Sequence, residues 1–119
     1  METATLSKRA RTAATLLDRI QEIFELSTAE LARLFGVRRQ AVGQWRERGL
    51  PGARQEKAAA TAAVADLLSH RLRLDRIPGA ARRPAAAYGG RTMLEMIEAD
   101  RHLELLDEVR RSFDWATTR

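Results

Sequence analysis

Apolar residues recur along the chain in steps of three and four, a spacing that predicts helices. In residues 7–26, Ala10, Ala13, Ala14, Leu17, Ile20, Ile23 and Phe24 fall on one helical face. Ser27, with Glu30 three residues later, makes a capping-box pattern, so a second helix is expected to start at Thr28. Leu31, Leu34 and Phe35 supply its buried face, Ala32 allows close helix approach, and Gly36 marks a sharp turn. Val37 then re-enters the core, and Val42 and Trp45 repeat the inward face on a third helix. Three residues from Val42, Trp45 reads as a core side chain rather than a base-stacking one.

Residues 53–76 form a strong Ala-rich helix pattern with Val64, Leu67, Leu68, Leu72 and Leu74 weighted to its second half. Leu72 and Leu74 are candidates for a dimer seam, the alternative being packing against the first helix. The stretch 77–91, IPGAARRPAAAYGGR, breaks the helical pattern with two prolines and three glycines. It has neither Walker nor dinucleotide spacing, so a phosphate-cradling loop is rejected. Thr92 and Glu95 repeat the capping box before a short helix over 93–99. Asp100 is the expected cap of a last helix, whose apolar stripe is Leu103, Leu106, Val109 and Phe113. Leu105, Phe113 and Trp115 widen that stripe toward a partner. The fold class expected is all-α, with a helical unit over 1–76 and a helical module over 77–119.

Charge changes this picture more than composition does. The chain has 119 residues and a net charge of +5. Residues 1–35 are neutral, 36–57 and 58–91 each carry +4, and 92–119 carry −3. A basic middle attracts a phosphate backbone, whereas an acidic end is repelled by it. The chain has no cysteine, hence no disulfide or thiolate site. Its two histidines, His70 and His102, have no metal-ligand spacing around them. No Ser–His–Asp set or paired-carboxylate motif can be assembled, so an enzyme is not expected, nor a cofactor or a metal. The sequence lacks an apolar run of bilayer length, and residues 1–20 are too charged for a signal peptide, which places the protein in the cytoplasm.

Residues 27–50, STAELARLFGVRRQAVGQWRERGL, combine the hydrophobic skeleton of a helix-turn-helix with a polar outer face. On the second helix of the pair, Arg39, Gln40, Gly43 and Gln44 project together. Arg can donate two hydrogen bonds to guanine and Gln can pair with adenine, so this face suits base edges. Gly43 permits close approach to a groove. Arg38, Arg46 and Arg48 are placed to contact phosphates, and Thr28 can do so from the first turn of its helix.

The run GVRRQAVGQWRERGLP resembles the recognition half of Xre/Cro-type regulators, and also that of MerR-type and excisionase-type regulators. The last two families commonly continue into a β-hairpin wing; here a strong helix former follows Pro51, which favours the Xre type. Where the family often caps its recognition helix with Ser or Thr, this chain has Arg38. Farther on, a Pro-containing turn, Gly89-Gly90-Arg91-Thr92, Leu94, Ile97 and a capped Leu/Val helix resemble the C-terminal domain of Xre/MbcA/ParS-type antitoxins. That resemblance implies a repressor of its own operon that dimerises and neutralises a RES-type toxin. The implied partner or dimer residues are Gly89, Gly90, Arg91, Thr92, Leu94, Leu106, Phe113 and Trp115. A stand-alone Xre-type or phage repressor, with no toxin partner, remains the alternative. Either reading expects operator DNA as a partner and a homodimer.

Overall fold

The computed structural model describes residues 2–117, with side chains described for residues 8–114. Among them every regular element is helical, as the periodicity predicts. Helix α1 (Glu2–Phe24) buries Ala13, Leu17, Ile20 and Phe24 along one stripe. It ends where Glu25 adopts a left-handed conformation (φ 53°) and the Leu26 N–H returns to Gln21 O at 2.9 Å. Arg82, far along the chain, donates to Phe24 O at 2.9 Å and Glu25 O at 3.1 Å, satisfying carbonyls at that helix end.

Helix α2 (Thr28–Phe35) starts at the expected capping box: the Glu30 N–H donates to Ser27 Oγ at 3.1 Å, and the Ser27 N–H donates to Glu30 Oε1 at 3.0 Å. Gly36 ends it in the left-handed region (φ 66°), and the Val37 N–H closes the turn on Ala32 O at 3.0 Å. Helix α3 (Arg39–Arg48) follows at once, with Arg38 extended at its N-cap and no side-chain cap. Val42 and Trp45 are its buried residues, and the Trp45 ring meets Phe35 edge-on, with centroids 5.4 Å apart. Trp45 is therefore a core residue.

Helix α4 (Gly52–Arg71) packs small side chains, Ala58, Ala60, Ala62, Val64 and Ala65, against its neighbours. It stops five residues before the expected boundary at Arg76, because Leu72 turns extended and the chain folds back to bury Ile77. A 3-10 turn over Leu74–Arg76 leads into α5 (Ile77–Ala81), where the sequence pattern predicts no helix. Pro78 lies in the first helical turn, where a missing N–H costs no intrahelical bond. After Pro84 and a 3-10 turn (Ala86–Tyr88), the Thr92–Glu95 capping box opens α6 (Met93–Glu98) as expected.

Helix α7 (His102–Thr117) keeps Leu106 and Val109 of the expected stripe buried and Phe113 partly so, but not Leu103. Its inward residues are His102, Leu105, Leu106 and Val109, while Leu103 is half exposed. Asp100 does not cap it. It sits left-handed (φ 61°) behind α6 and accepts a hydrogen bond from Lys57 Nζ at 2.8 Å.

One hydrophobic cluster takes in residues from α1 through α7, so the segments 1–76 and 77–119 share a core. Lys57, 5% exposed, is a tie between them: its ammonium lies 5.4 Å from the Phe35 ring centroid while bonding Asp100. Lys57→Ala removes the packed stem and the cation over the ring, and is expected to lower the unfolding free energy by about 1–2 kcal/mol in chemical denaturation. Lys57→Met, which keeps the stem, should lose less. The hydrogen bond and charge of Lys57 also hold the Asp100 carboxyl below its ordinary pKa. Its contribution is therefore present above the ordinary carboxylate range and is lost as pH falls through the lowered value. Melting temperature should fall more steeply on acidification for the native chain than for Asp100→Asn; parallel curves would remove the pair from the account of acid sensitivity.

Candidate nucleic-acid interface

The inner side of α3 is fixed by Val42 and Trp45, which forces the opposite side outward. Arg39, Gln40, Gly43, Gln44, Glu47 and Arg48 are all exposed there, repeating at the four-residue spacing of one helix face. The side chains of Arg38, Arg39, Gln40, Gln44 and Arg48 make no hydrogen bond or ion pair with a described residue. The four residues assigned to base edges are thus brought together.

The basic residues of 36–57 divide into two groups. Three are committed within the fold. Arg46 binds the carboxylate of Asp18 and the side-chain carbonyl of Gln21, both on α1. Arg54 donates to Phe35 O at 2.9 Å, and Lys57 is the buried tie described above. Arg38, Arg39 and Arg48 have no ion-pair or hydrogen-bond partner for their side chains among the described residues. Arg46, assigned to a phosphate by sequence position, is instead held against α1, a long-range pairing that no local spacing announces.

Thr28 is exposed at the first residue of α2. The hydrogen bonds from Ser27, followed by the nearby Arg82 charge, keep the Glu30 carboxyl below its ordinary pKa. The α2 N-terminus therefore already holds an anion, in competition with any phosphate. Sequence reasoning passed over Arg33, which lines an open depression together with Ala29, Arg38, Arg39 and Gln40. The clue available was its place on the outward side of α2, opposite Leu31 and Leu34.

Two glycines show what this face requires. Gly49 has φ 100° and its missing Cβ would lie 3.0 Å from Arg9 Cβ, so the fold demands it. A Cβ on Gly43 would meet nothing within 4 Å. No packing contact explains Gly43, and a helix interior disfavours it.

The implied partner residues are less coherent. Gly89 and Gly90 have positive φ and shape a turn in which the Gly90 N–H donates to Ala85 O at 2.9 Å. Arg91 is exposed, and Thr92 is used as the α6 cap. Leu106 is a core residue, 8% exposed, and so is corrected from surface contact to interior. Leu94 and Phe113 are half buried, the latter beneath the Arg71 guanidinium at 5.6 Å. The side chain of Trp115 lies outside the described residues. His70 Nδ1 sits 2.6 Å from Asp66 O and His102 Nε2 3.3 Å from Glu56 Oε1. Among the described residues no three metal-ligating side chains converge, and no helix is long and apolar enough to cross a membrane.

Comparison of the chain with protein-family models, curated proteins and solved structures gave no match.

Because its pair with Asp18 is partly exposed, Arg46→Ala is expected to lower stability by only about 0.5–1 kcal/mol. If the chain binds duplex DNA, the salt dependence of that binding should stay near that of the native chain. A slope reduced by about one unit would instead show that Arg46 reaches a phosphate.

Proposed function

We propose that this protein is a sequence-specific DNA-binding transcriptional regulator, a repressor that presents α3 to the major groove. One observation carries the reading: the outward face of α3 gathers Gly43 with Arg39, Gln40 and Gln44, whose side chains make no hydrogen bond or ion pair with a described residue, while its inward face is fixed in the core. Arginine and glutamine so placed offer bidentate donors and acceptors to base edges, and Arg38 and Arg48 flank them as phosphate contacts. Gly43 between them lets the helix backbone come close to the bases. Leu72 and Leu74, 38% and 62% exposed, are the candidate seam for a homodimer. Such a dimer would set two copies of α3 about 34 Å apart on successive major-groove turns.

The resemblance to Xre/MbcA/ParS-type antitoxins extends the proposal: the repressor would also neutralise a toxin encoded beside it, through surface formed by Arg91, Leu94 and Phe113. Co-expression tests this extension directly. A neighbouring reading frame that arrests growth alone and not together with this chain supports it; a harmless neighbour leaves a stand-alone repressor.

At the preferred operator, Arg39→Ala or Gln44→Ala should each cost about 1–3 kcal/mol and relax specificity at the base contacted. Gly43→Ala should raise stability by about 1 kcal/mol, since alanine is the better helix former and the site is open. The same change should weaken operator binding by placing a methyl between helix and groove. Fluorescence anisotropy with operator duplex, beside thermal denaturation, separates the two effects. Unchanged binding in all three variants would remove α3 as the recognition helix.

A further inference from the structure

The depression beside the N-terminal end of α3 has one lining residue from the C-terminal half of the chain, Glu98. Around it stand Arg33 from α2 and Arg38, Arg39 and Gln40 from the start of α3, all exposed. Nothing local accounts for a carboxylate at this point. Glu98 is the last residue of α6, where the helix dipole disfavours negative charge, and the last turn contains no base to offset it. It makes no ion pair or hydrogen bond with a described residue. Among the described residues it is an unpartnered anion lining one depression with three unpartnered cations, on the side that the proposed docking turns toward a phosphate backbone.

We infer that Glu98 belongs to the nucleic-acid face and acts there as a repulsive element that limits attraction to phosphates. The inference rests on the DNA-binding reading above and carries the interface onto the C-terminal half. Its physical basis is short-range repulsion. Within a Debye length of about 8–10 Å a carboxylate opposes phosphate approach even at moderate salt. Backbone attraction carries no sequence information, so weakening it leaves discrimination to the base-reading side chains of α3. Repulsion used to sharpen a choice of partner is a general device of specific interfaces.

The test measures affinity for a short fluorescent duplex of mixed sequence at several salt concentrations. Glu98→Gln is compared with Asp107→Asn, an equal charge change at an exposed position on α7. Glu98→Gln is expected to tighten binding on the order of five-fold at low salt, an effect that shrinks as salt screens it. Asp107→Asn should shift binding less than about two-fold, because Asp107 does not line that depression and the change alters only net charge. Equal shifts in the two variants would overturn the inference, as would no shift in either. A lower melting temperature for Glu98→Gln with unchanged affinity would also overturn it, identifying Glu98 as a counter-ion within the fold. These failures leave the DNA reading intact. If the native chain binds no duplex, operator included, that reading and the inference fall together.

Discussion

The Phe35 ring is the point on which the structure depends. It closes α2, meets Trp45 of α3 edge-on, and lies under the Lys57 ammonium of α4, which in turn binds Asp100 beyond α6. Burying a lysine is unfavourable unless its charge is answered. Here a ring face and an accepting carboxylate answer it together, so the cation draws three segments onto one aromatic side chain. The orientation of α3 is thereby set from behind, by contacts that reach into the C-terminal half. Arg82 makes a comparable tie at the other end of α2, between the α1 carbonyls and Glu30.

What could be read from sequence was what is decided locally. Both capping boxes, at Ser27 and Thr92, appear as the four-residue patterns predict, because cap geometry involves no distant residue. The turn at Gly36 and the inward faces of α1, α2 and α3 follow from spacing in the same way. Two of the misreadings were settled at a distance, and one, at Pro78, by a local rule. Asp100 looked like a helix cap, yet Lys57, forty-three residues earlier, claims it. Leu103 looked buried because leucines crowd the start of α7, but the packing phase is set by α4 and selects His102, Leu105 and Leu106. Proline at position 78 looked like a breaker, although a first-turn proline is compatible with a helix.

Charge shows the same division between local and distant causes. The +4 of residues 36–57 suggested a basic middle that attracts a phosphate backbone. In the folded chain, half of those bases brace helices against one another, and the rest point outward from α3 and its N-cap. Segment charge thus overstated how much cation is free, but it did locate the helix that carries it. The candidate reading face is set apart by the arrangement of its unclaimed groups rather than by their number. Arg46 differs from Arg39 only in which side of α3 it occupies, and that side is fixed by Val42 and Trp45.

A shared core also constrains how an assembly could act. If residues 77–119 formed an independent module, a contact made there would leave α3 free to sample many orientations. The cluster running from α1 to α7 removes that freedom, since interiors packed at crystal-like density transmit displacement rather than absorb it. A two-fold contact through the C-terminal half would then carry its geometry directly to the candidate recognition face and set the distance between two copies of α3. On the proposed reading, operator spacing and partner contact are consequences of one rigid body. A substitution in α6 or α7 that loosens the core should therefore be read first for its effect on the placement of α3, before any loss of binding is assigned to a missing contact.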